Sequence, residues 1–293
     1  MSESKPLAVI TGATGGIGRY IARGLARGGY RLILICREPE RAEAARAWLS
    51  GEVPHSDIDV QIADLALLPA TRNAGLDIAA NNPSIKLLVN NAGVFETKRA
   101  TTPEGFERVL AVNHLSPFVL TQALLPSLLA AAPSRIVNIG SSTSDRALID
   151  PDNLVLGKRW TMVRAYSQSK LALMMTTFEL ANRLVATGVT ANVVHPGLVA
   201  TGLVRSGGII GLVWRWLAMT ALTEEQGAET PLHAALAPEL QNTTGVYFKK
   251  CRPAPPNPRA RDPFLRARVW AVTQRLVALP DQPGANQTTI PAA

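Results

Sequence analysis

Short apolar runs alternate with longer stretches of mixed polarity along this chain. LAVIT (7–11), RLILIC (31–36), DIDVQIA (57–63), IKLLVN (85–90) and RIVNIG (135–140) are dominated by Leu, Ile and Val. Runs this short and this continuously apolar predict strands covered on both faces, as in a parallel sheet with helices on either side. TANVVH (190–195) and GVYF (245–248) extend the series. Between the early runs the period becomes helical, with Ile17, Ile21 and Leu25 at i, i+4 and i+8 on one face. Strand, helix, strand at this spacing implies βαβ crossovers. The expected fold is α/β: a doubly wound parallel sheet of about seven strands with helices on both faces. Such sheets take ligands at the carboxyl ends of their strands.

Neither a repeat nor a Ser/Gly-rich linker interrupts the pattern, so one domain is expected over residues 1–280. With 47% hydrophobic residues in a chain of 293, a substantial core can be buried. From Pro253 the chain is proline-rich, then reads as a helix over Pro263–Val277; residues 281–293 read as a polar, disordered tail. The longest apolar stretch, residues 207–223, carries Arg215 near its middle and falls short of the roughly 18 residues that span a bilayer. No spanning segment is expected, although Trp214, Trp216 and the basic C-terminal region leave contact with a membrane surface open.

Charge and cysteines narrow the setting. Lys and Arg outnumber Asp and Glu by 30 to 22, a net +8 that is spread along the chain except around residues 249–268. With aromatics at 5% there is no basic and aromatic patch of the kind nucleic acid requires. A positive field would instead favour an anionic cofactor. Cys36 and Cys251 are far apart and read as buried small residues in a reducing compartment. The N-terminus lacks the basic and apolar regions of a secretory signal, so a cytoplasmic location is expected. The histidines at 55, 114, 195 and 233 have no metal-ligand spacing, and no metal is expected.

Candidate chemistry lies at the ends of the predicted strands. TGATGGIG (11–18) follows the first strand and opens the first helix, the context in which a glycine cluster binds a dinucleotide. Glycines there allow a tight turn and close backbone approach, and the helix N-terminus offers N–H groups to a pyrophosphate. NNAG (90–93) ends the fourth strand. Tyr166 and Lys170, in AYSQSKLAL, are four apart and project from one helix face. A phenol normally near pKa 10 acts as acid or base near neutrality only if adjacent positive charge favours phenolate, and Lys170 together with the nicotinamide charge is expected to supply it. HPGLVAT (195–201) follows the sixth strand; His195 sits at the strand end and is not read as catalytic.

The spacing Gly-x-x-x-Gly-x-Gly, together with NNAG, YSQSK and HPGLVAT, resembles the classical short-chain dehydrogenase/reductase family, with its Rossmann-type sheet. The resemblance covers residues 7–280, and the later EEQGAETPLHAALAPE and GVYFKKCRPAPPNPRARD resemble its retinol-dehydrogenase-like branch. It implies a catalytic set of Asn113, Ser141, Tyr166 and Lys170, with Ser142 as an alternative to Ser141. Asn113 would link the lysine to water through a helix kink. Dinucleotide contacts are implied for Gly12, Thr14, Gly15, Gly16, Ile17 and Gly18. Asp64 and Leu65 would lie at the adenine, and Asn91, Ala92 and Gly93 along the adenosine. Tyr166, Lys170, Pro196, Gly197, Val199 and Thr201 would surround the nicotinamide.

Cofactor and substrate follow from the same comparison. An acidic residue ending the second strand selects NAD, whereas an arginine accommodates the 2′-phosphate of NADP. Here neutral Cys36 and then Arg37 occupy that place, so NADPH/NADP+ is expected with Arg37 as its reader. The long loop between Ser141 and Tyr166 resembles an insertion that overhangs the substrate, or forms a surface Ω-loop. A lid is implied over about 198–223; its Leu203, Ile209, Ile210 and Trp214 suggest an apolar carbonyl or alcohol substrate, or else a core or oligomer contact. Family habit implies a homo-oligomer, which the long loop could oppose. A dinucleotide sensor without turnover is the alternative from a different class.

Overall fold

Alternate side chains of the first strand feed two separate cores. In β1 (Leu7–Thr11), Leu7 and Val9 enter one core while Ala8 and Ile10 enter the other. β2 (Arg31–Cys36) repeats the division, with Ile33 and Ile35 set against Leu32 and Leu34. The period of two along a strand turns each apolar run into a sheet buried on both faces. The computed structural model describes residues 5–199 and 222–278.

Helices α1 (Gly16–Arg27) and α2 (Pro39–Glu52) cover the second face, joined by α6 (Glu224–Leu236). The first face is covered by α3 (Leu68–Asn81), α4 (Arg108–Ala130) and α5 (Met162–Arg183), and behind them lie the short α7 (Pro258–Arg261) and α8 (Pro263–Val277). The remaining strands are β3 (Ile58–Ile62), β4 (Leu87–Asn90), β5 (Ser134–Ile139), β6 (Val189–His195), β7 (Tyr247–Lys249) and β8 (Arg252–Pro253). Their order is β3-β2-β1-β4-β5-β6-β7-β8, parallel up to β7. The chain moves outward from β1 to β3 and returns to β4 on the other side of β1, so a crevice opens between the carboxyl ends of β1 and β4. The glycine turn and the Asn-Asn-Ala-Gly turn both leave the sheet there.

An eighth strand joins the expected set of about seven. It is a two-residue antiparallel ladder in which Phe248 pairs with Pro253 and Lys249 with Arg252, reached through Lys250 and Cys251 at positive φ. Two residues are too few to show a period, and a proline is tolerated because this is the sheet edge. Cys251 is half-buried there rather than buried as expected, whereas Cys36 is buried at the end of β2. Ile21 and Leu25 are fully buried, while Ile17 is half-buried at the rim of the second core.

Helix α4 is apolar and long enough by composition to cross a membrane, but 78% of its most apolar window is buried in the fold. Its length comes from spanning the sheet, and a π turn interrupts it over Ala111–Leu115. Helix α8 matches the expected span; Asp262 caps it by accepting from the Phe264 and Leu265 N–H groups at 2.9 and 3.1 Å. Trp270 on α8 meets Phe118 of α4 edge-on at 4.8 Å. The expected lid over about 198–223, with Thr201 in it, lies outside the described residues except at its ends, as does the expected 281–293 tail. Those lid ends adjoin each other: the Leu222 N–H donates to the Leu198 carbonyl at 2.8 Å, and Val199 and Leu222 form a parallel bridge.

Candidate active site

The turn after β1 is built by contacts that leave no room for a side chain at Gly12 or Gly18. Gly12 has φ +70°, and a Cβ on it would lie 2.9 Å from the Ala92 Cα. A Cβ on Gly18, in the first turn of α1, would lie 2.1 Å from the Gly12 carbonyl oxygen. Thr11 locks the turn to the end of β4: its Oγ1 accepts from the Asn91 and Ala92 N–H groups at 3.0 and 2.9 Å. The Asn91 amide donates to the Thr11 and Gly12 carbonyls, both at 3.0 Å. The side chain expected along the adenosine is thus used inside the protein as a clamp, because both protons of its amide are taken by backbone. Thr11 was missed as a site residue, although it opens the same motif.

These residues fit a dinucleotide pyrophosphate. Helix α1 begins at Gly15 with no side-chain cap and has no acidic residue in its first turn, so its leading N–H groups face no competing carboxylate. A Cβ on Gly15 would meet nothing within 4 Å, which marks open space at that helix end. Thr14 and Gly16 are half-buried in the turn. Ile17 and Val199 converge on Gly227 of α6, where an added Cβ would lie 2.8 and 2.5 Å from their methyls, so the segment after β6 is seated against the glycine turn. Pro196 and Gly197 precede it, Gly197 at φ +93°.

At the other end of the groove, Arg37 is half-exposed and its Nε donates to Glu38 Oε1 at 3.2 Å. Arg41 stands 4.0 Å from the same carboxylate, and the flanking Arg37 holds the Glu38 carboxyl below its usual range. Such exposed pairs are weak and open readily to a better anion. Cys36 contributes no charge, since burial pushes its thiol up to about 11. Asp64 Oδ1 accepts from the Ala66 N–H at 2.9 Å and shapes the turn after β3, while Leu65 packs partly into the first core.

The remaining groups meet where β4, β5 and α5 end or begin. Tyr166 and Lys170 share a face of α5, as the spacing requires. The Lys170 ammonium is buried and donates to the Ile139 carbonyl at 2.7 Å, and burial lowers its pKa to about 8. A Cβ on Gly93 would lie 3.4 Å from that ammonium and 3.3 Å from Asn113 Oδ1, so the glycine keeps the space beside them clear. Asn113 lies in the π turn of α4, fully buried; its Oδ1 accepts from the Val94 N–H at 2.8 Å and its amide donates to the Val94 carbonyl and to Ser169 Oγ at 3.0 and 3.2 Å.

Ser141, rather than Ser142, is the serine that acts on the Tyr166 phenol. Ser141 Oγ accepts from the Thr143 N–H and hydroxyl at 3.3 and 3.1 Å, which leaves its own proton free to donate. Burial pushes the Tyr166 phenol up, and Ser141 pulls it back only in part. Among the protein's own groups the Lys170 ammonium is directed to the Ile139 carbonyl, and desolvation dominates the shift of the phenol. The Phe95 ring meets Tyr166 edge-on at 5.1 Å, and Val94 and Trp160 pack with Tyr166 around Val109, Leu156 and Ala165.

The long loop after Ser141 is held in place rather than loose. Asn257, buried before α7, donates to the Ser144 and Ala147 carbonyls at 2.7 and 3.0 Å, and Gln168 donates to the Leu154 carbonyl at 3.0 Å. Trp160 Nε1 donates to buried Glu107 at 3.2 Å. His195 Nδ1 accepts from the Ser142 N–H at 3.2 Å, so the ring steadies the serine turn. Asp145 bonds both the Tyr247 hydroxyl, at 3.1 Å, and the Lys249 ammonium. Among the described residues, no group of three His, Cys, Asp or Glu side chains is placed to hold a metal.

Two histidines are held neutral: burial lowers His114 to about 3, and burial with Lys249 against Asp145 lowers His195 to about 4. The unfolded chain takes up both protons near pH 6.5, so acidification below that value favours unfolding by up to about 1.4 kcal/mol per pH unit for each ring. Urea midpoints are expected to fall steadily from pH 7 to pH 5, and less steeply in His195→Gln. Equal slopes in the two proteins would contradict the neutral ring.

A model of the short chain dehydrogenase family matches residues 6–208. Retinol dehydrogenase 12 of Bos taurus is 39% identical over 271 residues, covering 92% of this chain and 86% of the relative. A putative uncharacterized protein from Mycobacterium paratuberculosis superposes with a TM-score of 0.74 at 30% identity, covering 94% of each chain. A short chain dehydrogenase from Burkholderia cenocepacia J2315, solved in complex with NADP, superposes at 0.68 with 27% identity, over 83% of this chain and 95% of that one.

Proposed function

The chain belongs to the short-chain dehydrogenase family, in its retinol-dehydrogenase-like branch, and on that premise we propose an NADPH-dependent reductase of apolar aldehydes or ketones. Its oxidoreductase character, the nicotinamide dinucleotide and the carbonyl/alcohol pair come with the family; the choice of NADPH and the apolar substrate are our reading. The observation that carries it is the meeting of Ser141 with the Tyr166 phenol, one helix turn from a buried Lys170 and across the crevice from an uncapped helix end.

When bound, the reduced nicotinamide supplies a hydride to the carbonyl carbon. Tyr166 gives its phenolic proton to the carbonyl oxygen, and Ser141 donates a hydrogen bond to the same oxygen to hold it in line. Burial keeps the phenol protonated at neutral pH until the oxygen needs it. Lys170, anchored on Ile139, keeps two further N–H donors for a ribose hydroxyl and offsets the phenolate charge once the proton has left. Asn113 fixes the backbone at Val94, beside the space that Gly93 keeps open. Phe95, Val94 and Trp160 around the phenol favour an apolar group on the substrate carbon.

Arg37 and Arg41 face the adenosine end, and Arg37 exchanges its weak bond to Glu38 for the 2′-phosphate. An Arg37→Asp variant is expected to move the NADPH/NADH ratio of kcat/KM toward NADH by roughly ten- to a hundredfold, the worth of one or two charge-assisted bonds. An unchanged ratio would remove Arg37 as the reader. The reading as a whole is tested by following NADPH oxidation with a panel of apolar and polar aldehydes and ketones, retinal included. Failure of every carbonyl to elicit oxidation by enzyme that binds NADPH would overturn it.

A further inference from the structure

Helix α4 opens with one regular turn, Arg108–Leu110, widens into a π turn over Ala111–Leu115, and resumes as α-helix at Ser116. A π turn accommodates one extra residue, is uncommon, and persists only where its surroundings hold it. Here two consecutive side chains in it, Asn113 and His114, are both fully buried and both hydrogen-bonded, to different parts of the fold. Asn113 reaches Val94 and Ser169, as described above. His114 Nε2 lies 2.8 Å from Thr273 Oγ1 on α8, which is also fully buried.

The direction of that bond follows from the threonine. Its hydroxyl proton is given to the Val269 carbonyl at 2.8 Å, so the oxygen meets His114 with a lone pair and the ring donates from Nε2. Nδ1 is then an acceptor, and it has no partner among the described residues. Burial keeps the ring neutral, with its pKa at about 3. An imidazole making one directed bond in an apolar interior is a costly way to fill space. None of the catalytic steps uses it, which leaves the bond itself as its contribution.

We propose that His114 is a positioning residue: its bond to Thr273 lets α8 hold the π turn, and through it Asn113, in the register that sets the Val94 backbone beside Lys170. Helix α8 can act as the fixed point because it is itself held at several places. Trp270 packs on Phe118 under the Arg183 guanidinium, 4.6 Å from the indole, and Arg72 of α3 donates to the Val277 carbonyl at 3.0 Å. The amino-terminal side of the π turn has its own support, since Glu107 accepts from the Leu110 N–H at 2.8 Å and from Trp160. His114 supplies the matching hold on the carboxyl-terminal side.

The kinetic half of this inference rests on the proposed reaction; the structural half does not, and one set of variants separates them. Thr273→Val keeps the shape and removes the acceptor, Thr273→Ser keeps the acceptor, and Trp270→Phe weakens α8 without touching His114. Thr273→Val should lower kcat by roughly ten- to a hundredfold, the cost of misplacing an active-site group by up to an ångström, with KM and NADPH affinity changed less than about twofold. Thr273→Ser should match the parent, and Trp270→Phe should lower the melting temperature while keeping kcat. Hydrogen exchange at Val94 and over 111–116 should quicken in Thr273→Val alone, a readout that holds whatever the carbonyl panel shows. Parent-like exchange in Thr273→Val would overturn the brace, as would a kcat loss reproduced by Trp270→Phe at equal loss of melting temperature. Should Thr273→Val not fold, Thr273→Ala carries the same outcomes.

Discussion

A Tyr166→Phe variant is expected to melt with the parent, to bind NADPH with the parent's affinity, and to reduce its carbonyl roughly a thousandfold more slowly, within the usual worth of a positioned acid. The phenyl ring would keep its edge-on contact with Phe95 and its packing against Trp160 and Val94. Only the hydroxyl is lost. Neither neighbour can replace it: Ser141 is far too weak an acid, and the Lys170 ammonium is anchored at 2.7 Å on the Ile139 carbonyl with its other N–H groups turned to the ribose in the proposed reaction. Single-turnover rates with NADPH in excess measure the chemical step apart from binding. A rate within about fivefold of the parent would remove Tyr166 from the acid role.

The second large effect is expected at Gly18. A methyl there would stand 2.1 Å from the Gly12 carbonyl oxygen and 2.4 Å from the Asn91 amide nitrogen, so Gly18→Ala has to break the clamp that joins the glycine turn to β4. Overpacking of this kind costs about 1–3 kcal/mol, or roughly 2–5 °C in melting temperature for a chain of this size. Displacing the turn also moves the N–H groups that would meet the pyrophosphate. Losing two such bonds weakens NADPH binding by on the order of a hundredfold. Gly15→Ala is the informative control, because its methyl meets nothing within 4 Å and its backbone is extended. It should melt with the parent. If Gly18→Ala also melts and binds as the parent does, the clamp is not what shapes the turn.

Much of the protein could be read from the chain alone, and the reasons differ by feature. The strands at 7–11 and 31–36 and the helix at 263–277 were legible to the residue, because continuous burial on two faces and a helix with an Asp-Pro start both write themselves into local order. The glycine turn was legible because backbone space selects one residue type regardless of what lies elsewhere. Tyr166 and Lys170 were legible because helix periodicity alone puts them on one face. β8 was not, being two residues whose pairing depends on where Lys250 and Cys251 turn the chain.

What tertiary structure alone decided are the partners of polar groups. The residues themselves stated that an amide stands at 91, a serine at 141, a histidine at 114 and an arginine at 37. That the first clamps Thr11 and Gly12, that Ser141 rather than Ser142 reaches the phenol, that the histidine meets a threonine 159 positions away, and that the arginine lies on Glu38 are facts of packing. The direction of the Tyr166 shift belongs here too: sequence places a charge four residues off, while burial and the carbonyl that captures that charge are set by the whole fold. Apolar periodicity is a local property of the chain, whereas a hydrogen bond or a desolvation penalty depends on which distant atoms arrive beside the group.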